Sequence, residues 1–207
     1  IAGVCRESPA VFCYDLMNEP IVPVERRKPG DWMIGELGGF VYCQFITLDP
    51  AGRPREQIAR DWVRAMVAAI RDVDPRHLIT CGLLPNSIPG EPYYPGFDPR
   101  VVGPELDFVC THVYPKKGQL AADLDRLKRF DVGKPVVVEE IFPMHCSPDE
   151  IAAFIDMSSG VVDGWFGFYW GQTPRELTPP RTIPEALMLG WLEVFQRQRP
   201  TTRRIAP

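Results

Sequence analysis

Residues 134–140 have the sequence KPVVVEE, an apolar β-branched run that ends in two glutamates. Such a run, four to eight residues long, is typical of a buried strand. Ionised carboxylates rarely follow buried backbone without a reason, because leaving water costs them free energy. We therefore expect a strand over 134–140 whose carboxyl end holds a glutamate with a chemical role.

Strands and helices alternate on both sides of this run. We predict strands over 11–17, 77–84, 106–113, 134–140 and 164–170. Apolar residues spaced three and four apart predict helices over 56–73 and 120–130, and N-cap signatures at 147–150 and 182–185 begin two more. This alternation predicts an α/β fold with a parallel sheet and crossover helices.

Two architectures fit the alternation: a doubly wound open sheet and a run of βα units from a (β/α)8 barrel. A doubly wound nucleotide-binding fold should contain GxGxxG or GxxxxGK[ST], and neither occurs. GxSxG is also missing, which argues against an esterase of the α/β-hydrolase type. We favour the barrel and keep a doubly wound enzyme acting on a small molecule as an alternative.

Composition excludes several classes of protein. The 207 residues carry a formal net charge of -4, which does not suggest a nucleic-acid partner. No run approaches the roughly 18 apolar residues of a membrane-spanning helix, so we expect no membrane partner. The six cysteines lack zinc-site spacing and are expected to be free thiols, with a surface bridge between Cys43 and Cys146 left open.

The ends of the predicted strands carry the polar and aromatic side chains expected of an active site. In a barrel, chemistry lies at the carboxyl ends of the strands. The candidates at these ends are Asn18, Glu19, His112, Tyr114, Glu140 and Trp170. Two carboxyl groups suit glycoside hydrolysis, in which one donates a proton and the other attacks the sugar or activates water.

Four of these segments resemble one family. Residues 11–20, with Asn-Glu-Pro, resemble the fourth strand of retaining glycoside hydrolases with (β/α)8 barrels, the cellulase-like family five and its clan. Residues 111–114, 134–140 and 168–171 are similar to its sixth, seventh and eighth strands. The resemblance implies an O-glycosyl hydrolase that cleaves β-glycosidic bonds, in β-glucan, β-mannan or a related β-glycoside, with retention of configuration.

The resemblance also implies a role for each candidate residue. Glu140 would be the nucleophile and Glu19 the acid/base. Of the substrate-binding residues, Asn18 would bond the sugar 2-hydroxyl, and His112 and Tyr114 would orient the nucleophile or the sugar. Trp170 would stack under the sugar ring. No metal or organic cofactor is implied. A non-catalytic carbohydrate-binding protein on a degenerate barrel remains the alternative.

The same resemblance implies an incomplete barrel of about five C-terminal βα units. Residues 1–207 would form one partial catalytic domain, and residues 21–55 a long loop insertion over the active-site face. The N-terminal half of the barrel would lie upstream in the full-length protein. We expect a secreted or periplasmic location, with any signal in that upstream part.

Strand alternation separates the two adjacent glutamates. Regular alternation would place Glu140 on the same side as Val136 and Val138, and Glu139 on the other side. We therefore expect Glu140, and not Glu139, to be the nucleophile. A retaining mechanism further predicts that the carboxyl groups of Glu19 and Glu140 lie about 5–5.5 Å apart.

Overall fold

A computed structural model describes residues 1–22 and 51–198, together with the backbone of 34–37 and 40–42. The strands are β1 (Cys13–Asn18), β2 (Ile34–Leu37), β3 (Phe40–Tyr42), β4 (Leu78–Leu83), β5 (Val109–His112), β6 (Val136–Ile141) and β7 (Gly164–Gly167). The helices are α1 (Ala2–Cys5), α2 (Arg55–Arg71), α3 (Pro99–Val102), α4 (Leu120–Lys128), α5 (Pro148–Ser158) and α6 (Ile183–Arg197), with a 3-10 helix at Gly103–Glu105.

Five parallel strands form one sheet in the order β1-β4-β5-β6-β7. This order follows the chain without a reversal. A doubly wound sheet reverses its strand order at the switch point where its ligand binds. The order therefore confirms the predicted succession of βα units, and the alternative of a doubly wound enzyme is wrong.

The chain divides into two compact units, of which the first comprises residues 1–111 and 132–135. Its strands pair in parallel, with Cys13 opposite Leu78 in β1–β4 and Gly82 opposite Cys110 in β4–β5. The core takes Ile79, Cys81 and Leu83 from β4 and the buried side of α2. Burial of successive residues along β4 explains why its sequence is almost continuously apolar.

Asp74 organises the amino-terminal ends of β1 and β4 in this unit. Its buried carboxylate accepts hydrogen bonds from the Tyr14 hydroxyl (2.7 Å) and from the backbone N–H groups of Arg76 (3.0 Å) and His77 (3.2 Å). His77 Nδ1 lies 2.6 Å from Asp74 Oδ2. Burial by itself raises the pKa of Asp74, but these hydrogen bonds outweigh it and hold the pKa well below its usual range.

The second unit comprises residues 112–131 and 136–207. Strands β6 and β7 pair in parallel, with Val137 opposite Gly164. Helix α5 begins with the predicted capping box: Ser147 Oγ accepts from the Glu150 N–H (3.2 Å), and the Glu150 carboxylate accepts from the Ser147 N–H (2.8 Å). The predicted cap of α6 is also confirmed, because Thr182 Oγ1 accepts from the N–H of Glu185.

The predicted strands differ from the observed ones by up to three residues at their ends, and the predicted loop over 21–55 differs as well. Strand β7 ends at Gly167 and not at residue 170, because the Tyr169 N–H bonds back to the Gly167 carbonyl (2.9 Å) and turns the chain. The 21–55 stretch, predicted as a loop, contains the antiparallel pair β2–β3, with Ile34 opposite Tyr42. The predicted position of this insertion over the active-site face concerns residues that lie mostly outside the described part of the chain.

The described cysteines are all free thiols, and Cys81 and Cys110 are buried. Cys146 is among them, whereas Cys43, the bridge partner that the sequence left open, lies outside the described residues. Within residues 1–22 and 51–198, no helix combines the length and the apolar character needed to cross a bilayer.

Candidate active site

Strand β6 contains a bulge at its two glutamates. Val138 pairs with Trp165, and the next pair joins Ile141 to Gly167. Two residues of β6, Glu139 and Glu140, therefore lie opposite a single residue of β7. A bulge of this kind interrupts the alternation of side chains and re-aims them. The expectation that Glu139 and Glu140 separate onto opposite sides is therefore corrected.

The ring of His112, at the end of β5, interacts with both carboxylates. His112 Nδ1 lies 3.3 Å from Glu140 Oε2, and His112 Nε2 lies 3.7 Å from Glu139 Oε2. The imidazole is buried, whereas both carboxylates keep part of their surface in contact with solvent. The ring therefore lies between the two carboxylates, with one nitrogen toward each.

Glu140 is held from two further directions. The Tyr114 hydroxyl donates to Glu140 Oε2 at 2.5 Å, a length typical of a charge-assisted bond. The Glu140 carbonyl accepts from the Val113 N–H at 2.9 Å, which fixes the backbone beneath the carboxylate. The Tyr114 ring in turn contacts Phe168 edge-on, with centroids 6.2 Å apart. These contacts on the carboxylate and the backbone give Glu140 a defined orientation.

An open pocket of about 440 Å³ lies beside these residues. It is lined by Glu139, Gly167, Phe168, Tyr169 and Trp170. The Trp170 side chain is fully exposed, and Phe168 is about half exposed. A carboxylate beside uncovered aromatic rings offers both a hydrogen-bond acceptor and an apolar platform, which is the combination that sugars fit.

Asn18 and Glu19 lie at the carboxyl end of β1, in the first unit. A bulge precedes them, because Asp15 pairs with Thr80 and Asn18 with Gly82. The Asp15 carboxylate accepts from the N–H groups of Met17 (3.2 Å) and Gly82 (2.7 Å) and so satisfies backbone donors at the bulge.

Glu19 has a backbone conformation that is rare outside glycine. Its φ is 50°, and its N–H donates to the Gly82 carbonyl at 2.8 Å. Such a conformation costs of order 1–3 kcal/mol and is concentrated at functional sites. The next residue, Pro20, is buried and fixes the chain after the glutamate. This strain supports a functional role for Glu19.

The structure thus gathers His112 and Tyr114 around Glu140, and Trp170 lines a pocket with Glu139. The 5–5.5 Å separation of Glu19 and Glu140 stays a prediction. Sequence reasoning missed Glu139, Phe168 and Tyr169 as residues of the site. The doubled glutamate was the available signal for Glu139, but a bulge cannot be recognised from alternation alone.

No family model matches the chain, and no curated protein matches it in sequence. The fold resembles a β-mannanase from the blue mussel Mytilus edulis, with a TM-score of 0.51 and 16% identity over 97% of this chain. The chain is also similar to an endo-1,4-β-D-mannanase of Thermotoga petrophila, with a TM-score of 0.45 and 18% identity over 68% of this chain and 52% of that one. A β-galactosidase of Marinomonas has a TM-score of 0.44 and 15% identity over 69% of this chain and 26% of that one.

Of these three structures, we use only the mussel enzyme for a statement about fold, because the other two likenesses have TM-scores below 0.5. The chain spans 57% of the mussel protein's length. Together with the sequential parallel sheet, this likeness shows that the chain has the fold of an incomplete (β/α)8 barrel, without assigning it to a family.

Proposed function

We propose that this chain is the C-terminal part of a retaining β-glycoside hydrolase, with Glu140 as the nucleophile and Glu19 as the acid/base. The observation on which the proposal rests is the Glu140 carboxylate at the end of β6, oriented by the Tyr114 hydroxyl and lying beside the His112 ring. Barrel enzymes use side chains at this end of their strands.

In the first step Glu140 attacks the anomeric carbon while the bond to the leaving oxygen breaks. Glu19 gives its proton to that oxygen, so the leaving group departs as a neutral alcohol. In the second step water attacks the covalent glycosyl-enzyme, Glu19 takes the proton of the water, and Glu140 is released as a carboxylate. Asn18 and Trp170 bind the sugar through its 2-hydroxyl and its apolar face.

The test uses the full-length protein, because this chain spans only part of the mussel enzyme that it resembles. Aryl β-mannosides and β-glucosides are suitable first substrates, and β-mannan and β-glucan follow. We expect hydrolysis with retained anomeric configuration by NMR, and a loss of about 10³-fold or more in kcat for Glu140→Gln. Glu193→Gln, an exposed site on α6, is the matched control and should be fully active.

Two results would contradict the proposal. One is a product with inverted configuration, and the other is full activity of Glu140→Gln. For Glu19→Gln we expect a large loss with substrates whose leaving group needs a proton and a small loss with activated aryl glycosides. An equal loss on both kinds of substrate would remove Glu19 from the acid/base role.

The exposed pocket favours one alternative function. A fully exposed Trp170 beside Glu139 would bind sugar whether or not catalysis follows. A non-catalytic carbohydrate-binding protein would therefore bind oligosaccharides through this pocket and hydrolyse none of them.

A further inference from the structure

We propose that Glu139 binds substrate hydroxyl groups and determines sugar specificity at the pocket lined by Trp170. This inference rests on the proposed function, because it places the substrate in that active site. Glu139 precedes the nucleophile in sequence, and simple strand alternation would direct it away from Glu140. The bulge between Val138 and Ile141 removes that constraint.

The two glutamates have different surroundings. One oxygen of Glu140 already accepts from the Tyr114 hydroxyl at 2.5 Å and lies 3.3 Å from His112. Glu139 Oε2 lies farther from the ring, at 3.7 Å, and Glu139 is one of the residues that line the pocket. Glu140 is therefore arranged for attack, and Glu139 is arranged to face a ligand in the pocket.

The chemistry of the pocket selects the class of ligand. A carboxylate only accepts hydrogen bonds and has about four lone-pair sites, so it can receive two adjacent hydroxyl groups at once. Trp170, fully exposed, offers an aromatic face to the apolar face of a pyranose. The ligand that satisfies both is a neutral pyranoside with two free vicinal hydroxyls, stacked on Trp170 with its hydroxyl edge toward Glu139.

An amino sugar is a different ligand that a carboxylate also binds. His112 already places a basic ring next to Glu139, within 3.7 Å. The ammonium group of an amino sugar would have to share that carboxylate with the imidazole ring. A neutral sugar donates through hydroxyl groups alone, and we assign it as the ligand, with the amino sugar as the competing outcome of the test.

The experiment measures binding and kinetics on the same full-length variants. Mannobiose, cellobiose and a glucosamine disaccharide are titrated calorimetrically into Glu139→Gln, into the matched control Glu193→Gln and into the unmodified protein. Hydrogen bonds to a charged group predict a Kd that is about 10- to 100-fold weaker in Glu139→Gln for one neutral disaccharide. KM for the matching aryl glycoside should rise by a similar factor while kcat changes less than about threefold.

Monodeoxy analogues of the preferred sugar identify the contact. The analogue that lacks a hydroxyl bound by Glu139 should bind more weakly to the unmodified protein, and the difference should largely disappear in Glu139→Gln. Unchanged Kd and KM in Glu139→Gln, with Glu140→Gln inactive, would overturn this inference and leave the proposed function standing. Preferential binding of the glucosamine disaccharide would overturn the neutral-sugar assignment. Glu139-dependent binding without any hydrolysis would support this inference and contradict the proposed function.

Discussion

Replacing Tyr114 by phenylalanine removes one hydroxyl and keeps the ring. The hydroxyl donates to Glu140 Oε2 at 2.5 Å, while the ring maintains its edge-on contact with Phe168. A hydrogen bond to a charged group contributes about 1.5–3 kcal/mol, and about 1.4 kcal/mol corresponds to a factor of ten. If the bond orients the nucleophile, kcat should therefore fall by about 10- to 150-fold in Tyr114→Phe.

The assay measures kcat and KM for an aryl β-glycoside on the full-length protein. KM should change by less than about threefold, because the lost bond orients the nucleophile and does not contact the sugar. Tyr14→Phe is a matched control, since it removes another phenol–carboxylate bond, of 2.7 Å, at the amino-terminal ends of the strands. It should lower the melting temperature without altering kcat. A kcat within about twofold of normal in Tyr114→Phe would refute the orienting role.

Three further predictions concern stability. The pKa of Asp74 is lower in the folded protein than in the unfolded chain, where it is about 3.9, so the ionised carboxylate stabilises the fold at pH values above about 3.9. The melting temperature should therefore fall as the pH drops from about 5 to 2. Calorimetry of Asp74→Asn should show a smaller fall over the same pH range. Ser147→Ala should lower the free energy of unfolding by about 1 kcal/mol in urea titrations, because it removes the capping box. Gly96→Ala should lower the free energy of unfolding by about 2–5 kcal/mol, and Gly90→Ala should lower it by about 1–2 kcal/mol. Both glycines have a positive φ, but only at Gly96 would an added Cβ collide with the backbone of Arg55. Equal losses in the two variants would contradict this explanation.

The sequence predicted those features that arise from local patterns. The β-branched run at 136–138 and the apolar stripe of α2 correspond to a strand and a helix in the structure. The caps at Ser147 and Thr182 were also predictable, because each depends on residues within three positions of one another. Strand succession followed from the alternation of these elements.

Features that depend on pairing between strands were beyond the sequence. The bulges in β1 and β6 are differences in register against β4 and β7, and a period-two pattern contains no sign of them. The early end of β7 depends on a bond from the Tyr169 N–H to the Gly167 carbonyl. The sequence also contains no sign of the positive φ of Glu19, because glutamate seldom adopts this conformation. The predicted side of Glu139 was wrong because the bulge in β6 could not be foreseen. The positions of His112 and Tyr114 were predictable, because they depend only on where their strand ends.

The measurement that tests the central claim most directly is identification of the residue that forms the covalent intermediate. The full-length protein is incubated with a fluorinated β-glycoside that forms the glycosyl-enzyme faster than water removes it. The labelled peptide is then sequenced by mass spectrometry. Our account predicts one sugar per protein, attached to Glu140. A label on Glu139 would reverse the assignment of the two glutamates, and hydrolysis that proceeds without any labelled carboxylate would contradict the retaining mechanism.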